Sequence, residues 1–479
     1  MNRPNILLIM VDQFRGDCLG ISGHPDVKTP NLDTLATNGV NFMKAYSACP
    51  TCIPARAALF TGMSQKKHGR VGYRDAVPWE YPHMLAGELT EAGYYTQAVG
   101  KMHVYPLRNN CGFHNVELHD GYLEHFRKPH LPYYEHQTVA DDYFYWLKDQ
   151  KGLMADVSDS GMECNSWMAR PWQYEEELHP TNWVVSRSID FLRKRDRTKP
   201  FFLFQSFVRP HSPFDAPPCY FDMYNQMELT PPPIGDWADD THKTIGRIHN
   251  NNYMSPDPEL VRQAQVGYYA CITHLDHQIG RFMQALAEDN VLHNTFIVFV
   301  ADHGELMGDH HLFRKSVPYE GSARIPLVIR PHSGFDVKRG TTRNNVAELR
   351  DIMPTLLDIA GAEIPETVDG ISLCDVLKAE ETTLTREYLH GEHTYDKRSN
   401  HYIVTERDKY IWFSQSGREQ YFDLVNDPQE LEDKINESDC SERINMLRKW
   451  LIAELDGRPE GYSDGKNLIV GRQYTPVLF

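Results

Sequence analysis

Four stretches of this chain are almost continuously apolar or β-branched, and each stops at polar or ionisable residues: 5–11, Tyr94–Val99, Phe201–Phe207 and Thr295–Val300. A strand with water on one face alternates apolar and polar side chains, whereas a strand covered on both faces does not. These runs therefore predict strands inside a sheet flanked by helices. Helical patterns lie between them, which predicts an α/β architecture. Open α/β sheets collect ligands beyond the carboxyl ends of their strands. That rule singles out Asp12-Gln13 after the first run, Gly100-Lys101-Met102-His103 after the second, His211 after the third and Asp302-His303-Gly304-Glu305 after the fourth.

A separate motif carries a possible nucleophile: Cys52-Ile53-Pro54-Ala55-Arg56, followed by Leu59-Phe60-Thr61-Gly62. Pro54 suits the first turn of a helix, where its missing N–H is not needed, and the run from Ala55 to Phe60 continues as a good helix former. Cys52 is then expected at a helix N-terminus, where free N–H groups and the dipole favour an anion. Arg56, one turn on, shares its face. Two plainer readings use the same residues. Cys49-Pro50-Thr51-Cys52 is also a Cys-x-x-Cys, the pattern of thiol redox chemistry or half a zinc site. A zinc site needs a second pair at ligand spacing, and none follows. The other reading is two ordinary buried cysteines.

Cys-x-Pro-x-Arg with a trailing Thr-Gly resembles the signature of the type I sulfatases of the alkaline phosphatase-like superfamily. Ala55 stands where many members have Ser. The resemblance implies that Cys52 is oxidised after translation to Cα-formylglycine by a formylglycine-generating enzyme. The hydrated aldehyde is then the nucleophile, and one of its oxygens also ligates calcium. It further implies a large mixed β-sheet flanked by helices, with a small C-terminal domain carrying an antiparallel sheet and a helix.

Carboxylates at two strand ends are oxygen ligands of the kind a hard cation prefers, although plain strand-end caps are the simpler reading. By resemblance, Asp12, Gln13, Asp302 and His303 join Cys52 as ligands of one ion. Gln13 stands where Asp is frequent and His303 where Asn is frequent. The amide removes a negative charge, and the softer imidazole opens the site to manganese or another divalent ion beside calcium. Gly100-Lys101-Met102-His103 matches the family's Gly-Lys-x-His, so Lys101 is expected on the sulfate and His103 on the geminal diol. His211 and Lys315 match a sulfate-binding histidine and a second lysine. The implied mechanism is double displacement, with Arg56, Lys101 and Lys315 stabilising charge, His211 or Lys315 protonating the leaving alcohol, and His103 acting as base. Residues 70–79 and 105–150 are expected to line the pocket, with Arg74 and His393 as substrate contacts.

At 479 residues the chain has room for two domains. A change to hairpin-like patterning after about residue 385 places the boundary at 380–381, giving a catalytic domain of residues 1–380 and an α+β domain of residues 381–479. Nine cysteines without regular spacing argue against a disulfide framework. No apolar run approaches a membrane span. The apolar segment near the N-terminus is short for a signal peptide, which predicts a cytoplasmic protein. The net charge of −17 argues against nucleic acid or an acidic membrane surface as partner. It also requires a local cluster of cations if the substrate is a small-molecule or oligosaccharide sulfate ester. The reading is thus a sulfuric ester hydrolase, with a phosphonate monoester or phosphodiester hydrolase of the same superfamily as the alternative.

Overall fold

The computed structural model describes residues 3–121, 140–238, 257–379, 386–395 and 398–479. All four predicted strands form, as β1 (Asn5–Asp12), β3 (Tyr95–Gly100), β5 (Phe201–Pro210) and β6 (Thr295–Ala301). They are neighbours in one nine-stranded sheet ordered β4-β3-β5-β1-β6-β7-β2-β8, with β9 (Ala347–Glu348) on β2. The sheet also contains β2 (Val40–Tyr46), β4 (Asn115–Leu118), β7 (Arg324–Arg330) and β8 (Thr341–Arg343). β1, β3, β5 and β6 run parallel, whereas β7 is antiparallel to both β6 and β2, so the sheet is mixed.

Every residue of β1 is buried. Ile6 pairs with Phe202 on one side and Phe296 on the other, and Val11 still faces Ala301. This shared register brings the ends of β1, β5 and β6 out together. Helices Pro180–Lys194 and Pro258–Glu288 pack on each other and on β5, while Cys52–Thr61, Leu85–Glu91 and Ile352–Ala360 form a second group. No helix among the described residues is long and apolar enough to cross a membrane.

A second sheet follows, antiparallel, of β10 (Leu389–His393), β11 (Asn400–Val404), β12 (Asp408–Phe413) and β13 (Glu419–Asp423). Its strands alternate as a two-faced sheet must. Tyr402, Val404 and Ile411 pack with Tyr46, Ala48 and Tyr319 of the large domain, whereas Ile403, Tyr410 and Trp412 face helix Ser441–Leu455 through Leu447 and Leu451. The boundary expected at 380–381 falls at residues outside those described.

The segment between β3 and β5 contributes β4 to the sheet edge and a helix, Asp142–Lys151; residues 122–139 lie outside the description. All nine cysteines are free thiols.

Candidate active site

The last residue of β1 is Asp12, and Asp302 and His303 follow β6 directly. Gln13 takes a left-handed φ of 68°, and its N–H donates to Asp302 Oδ1 at 3.1 Å. His303 Nδ1 lies 3.0 Å from the Gly304 carbonyl and so carries the proton. The lone pair of Nε2 then faces Asp12 Oδ1 at 3.4 Å and Asp302 Oδ1 at 3.6 Å. Fixing the tautomer through the far nitrogen is how a ligating imidazole is oriented. Burial lowers the His303 pKa, which keeps the ring neutral.

Cys52 is the first residue of the helix Cys52–Thr61, with Thr51 as cap and Gly62 closing the far end in a left-handed turn of φ 66°. All ten helix residues are buried, and the small alanines allow that close packing. The Cys52 Sγ lies 3.7 and 3.8 Å from the two Asp12 carboxylate oxygens and 3.2 Å from His303 Nε2. Burial, with Asp12 beside it, pushes the thiol up to about 11. At neutral pH this sulfur is protonated and a weak nucleophile.

Arg56 is fully buried one turn on. Its Nε donates to Asp302 Oδ2 at 3.2 Å, and its Nη1 to the carbonyl of Lys101 at 2.8 Å and to Ser206 Oγ at 3.0 Å. It therefore ties the ends of three strands together. Lys101 follows Gly100, which has φ 104° and where a Cβ would run into the Ser206 carbonyl oxygen. That turn sends Lys101 Nζ onto Asp12 Oδ2. Burial alone would raise the Asp12 pKa, but Lys101, His211, His303 and Lys315 outweigh it and hold the carboxyl well below the usual range. His103 has φ 55°; the backbone N–H groups of Met102 and His103 both donate to Asp120 Oδ1, at 2.8 and 2.9 Å. Lys315 Nζ donates to Gln13 Oε1 at 2.6 Å and to His211 Nε2 at 2.9 Å, and His211 Nδ1 lies 2.8 Å from the Ser212 carbonyl. Burial and Lys315 keep His211 neutral.

A cavity of about 250 Å³ opens in front of Cys52 and is lined by Lys101, His103, His211, Lys315 and His393 among others. Arg74 is not among the lining residues; it is exposed, and its neighbour Tyr73 lines the cavity instead. The expected lining by 70–79 and 105–150 needs the same correction. Arg70 and Trp79 are buried in the core, Arg70 over the Trp79 ring at 5.0 Å, and of 105–150 only Asp120 reaches the cavity among the described residues. The remaining wall is Thr51, Cys164, Asn165, Val208, Ser212, Arg314, Ser316 and Tyr395. Arg314 sits beside a residue already singled out, and Asp120 follows a strand end. Cys164 and Asn165 carry no periodic signal that would have found them.

The donor set suits a cation. One ligand atom each from Asp12, Cys52, Asp302 and His303 lie within 4.8 Å of one another, and all four residues are buried. Two buried carboxylates and the lone pair of a neutral imidazole converge there, donors of the kind a divalent cation takes. The thiol is the one soft, protonated member of the set.

Side chains able to hold a cation at the strand ends, a buried cysteine at a helix tip and a ring of lysine, arginine and histidine fit a hydrolase of anionic esters on an alkaline phosphatase-like fold. Residues 4–362 match the family model described as Sulfatase, and residues 308–456 match that of the N-sulphoglucosamine sulphohydrolase C-terminal region. The chain is 54% identical to an arylsulfatase of Clostridium perfringens over 98% of both chains. It is 30% identical to a choline-sulfatase of Rhizobium meliloti over 90% of this chain and 82% of that one. The crystal structure of a phosphonate monoester hydrolase of Agrobacterium radiobacter superposes with a TM-score of 0.77 at 26% identity, covering 94% of this chain and 95% of the other. The chain belongs to the sulfatase family, and is a sulfuric ester hydrolase.

Proposed function

We propose that the enzyme hydrolyses a sulfate monoester of a sugar or aryl alcohol through Cys52 converted to Cα-formylglycine, with one divalent cation, calcium foremost, held by Asp12, Gln13, Asp302, His303 and the modified residue. The observation that carries this reading is the state of Cys52. Its thiol is protonated and soft, yet it occupies a ligand position among two carboxylates and an imidazole. An oxygen-bearing side chain there completes a hard donor set, which the thiol does not. The proposal therefore includes a formylglycine-generating enzyme as maturation partner.

A bound cation at this site supplies Lewis-acid stabilisation of charge on the sulfuryl oxygens. The other roles fall to the chain itself. Lys101, Lys315 and His211 grip the sulfate and offset the chain's overall negative charge locally. Arg56 acts by holding Asp302 and the Lys101 backbone in place, so it is a positioning residue. When the sulfur–oxygen bond to the alcohol breaks, the departing oxygen needs a proton. Within the pair, His211 Nε2 accepts from the Lys315 ammonium, so Lys315 holds the proton that is passed on, directly or through His211. His103, buried beside Lys101 with its ring near Tyr73, is the base that resets the nucleophile. The oxygen that attacked sulfur leaves with the sulfate, and water replaces it on the converted residue. His393 contacts the alcohol.

The alternative, a phosphonate monoester or phosphodiester hydrolase, is favoured by Gln13 and His303 at the cation site and by the likeness to the Agrobacterium enzyme. Lys101 and His103 on the clamp favour sulfate. Mass spectrometry of the Cys52 peptide should show the aldehyde in protein from its native host. Converted protein should hydrolyse 4-nitrophenyl sulfate faster than a phenylphosphonate ester, lose activity on chelation and regain it with calcium. An unconverted thiol in active protein overturns the reading.

A further inference from the structure

His393 ends β10, the first strand of the second sheet. Its ring is fully buried, lines the cavity, and neither nitrogen has a hydrogen-bond partner. Leaving a buried imidazole without a partner is costly, and a slack loop would turn it out to water. The surroundings prevent that. Glu392, the preceding residue, is held by a buried bidentate pair with Arg458 at 2.8 and 2.7 Å, and its N–H donates to the Ala48 carbonyl at 2.7 Å. On the other side the Thr394 N–H donates to the Val71 carbonyl at 2.8 Å. His393 is thus clamped from both sides of the chain into a position that leaves it unsatisfied. Burial, with Arg398, His303 and Lys315 nearby, lowers its pKa to about 3, so the ring is neutral.

A neutral imidazole offers one N–H donor and one lone pair. A hydroxyl group answers both. An anionic substituent answers only the donor, and a plain aryl ring answers neither. Tyr73 and Tyr395 on the same wall provide ring faces of the kind that flank a sugar.

Resting on the proposed sulfatase activity, we infer that the leaving alcohol is a polyol, a sugar whose free hydroxyl beside the sulfate ester pairs with His393, and that this residue sets the preference for sugar over aryl sulfates. The test compares kcat/KM for glucosamine 6-sulfate and galactose 6-sulfate with that for 4-nitrophenyl sulfate, using protein with confirmed aldehyde at Cys52. In His393→Leu the sugar-to-aryl ratio should fall at least tenfold, mainly through KM for the sugar. The melting temperature should hold or rise, because the orphan polar ring is gone. His393→Asn, which keeps a donor and an acceptor, should recover part of the ratio and covers the case in which the leucine variant fails to fold. An unchanged ratio in both variants, or an equal loss for both substrate types, overturns the inference. If the wild type hydrolyses no sulfate ester at all, the sulfatase reading itself falls, a different outcome from an unchanged ratio.

Discussion

Charge is buried in two regions of this molecule and handled differently in each. Where the second sheet meets the large domain, every cation is matched. Lys409 Nζ donates to the Pro318 carbonyl at 2.8 Å, to Glu320 at 2.7 Å and to Glu430 at 2.8 Å, and Arg458 grips Glu392 with both arms. At the strand ends the matching is incomplete. Asp12 gathers Lys101, Arg56 and His303 around a protonated thiol, Gln13 and His103 sit at positive φ, and His393 has no partner. Closed ion networks hold loops still. Incomplete ones cost stability and persist only where neighbours enforce them. The interface network holds the neighbouring backbone that keeps His393 in place.

The sharpest way to break this contrast is at Cys52. Cys52→Ala should lower kcat for sulfate esters by at least about a thousandfold, since the nucleophile is removed, while the melting temperature stays the same or rises. Cys49→Ser should keep kcat of the same order; a collapse there would revive the Cys-x-x-Cys redox reading. Arg458→Met tests the opposite region. It strands Glu392 in a dry interface, and removing one partner of a buried pair costs about 3–5 kcal/mol, to be read from urea unfolding. If stability barely moves, the interface is not the rigid half of the comparison. Lys101→Met should lower kcat by about 10²–10³-fold, the usual cost of one charge-stabilising donor.

The smallest effect concerns pH. Burial pushes the Glu430 carboxyl up to about 7, with Glu320 adding to it and Lys409 opposing it. A folded pKa above the unfolded value means that this group's contribution is complete below the ordinary glutamate range and is lost as pH rises through about 7. The melting temperature should therefore decline from pH 6 to 8, and Glu430→Gln should flatten that slope. A slope that persists in the variant assigns the titration to another group.

Much of the large domain was legible because β1, β3, β5 and β6 are covered on both faces and so cannot alternate. The strands of the large sheet that escaped notice are β2, β4, β7, β8 and β9. β4 is only Asn-Val-Glu-Leu at a sheet edge, half exposed, with too little apolar length to separate it from a loop. Missing β4 hid Asp120, although it obeys the same strand-end rule as Asp12. Arg74 was misplaced for a related reason. Residues 69–72 are paired with the returning C-terminal segment, through Val71 and Gly72 N–H to the Pro476 carbonyl and Leu478 N–H to the Gly69 carbonyl. That contact, more than 400 residues distant in sequence, fixes the backbone that leads into Tyr73, the residue of the loop that lines the cavity.

What the sequence by itself determined was local chemistry in order: apolar runs ending in ionisable residues, and a cysteine on a helix tip with an arginine one turn on. Those follow from burial on two faces and from helical periodicity, which are properties of neighbouring residues. Only the tertiary structure decided that the Cys52 thiol is protonated among ligands, that Lys315 rather than His211 holds the proton, and that His393 waits unpaired at the cavity wall. Each depends on which groups from distant segments share a dry space, and dielectric, charge and hydrogen-bond satisfaction are set by that sharing.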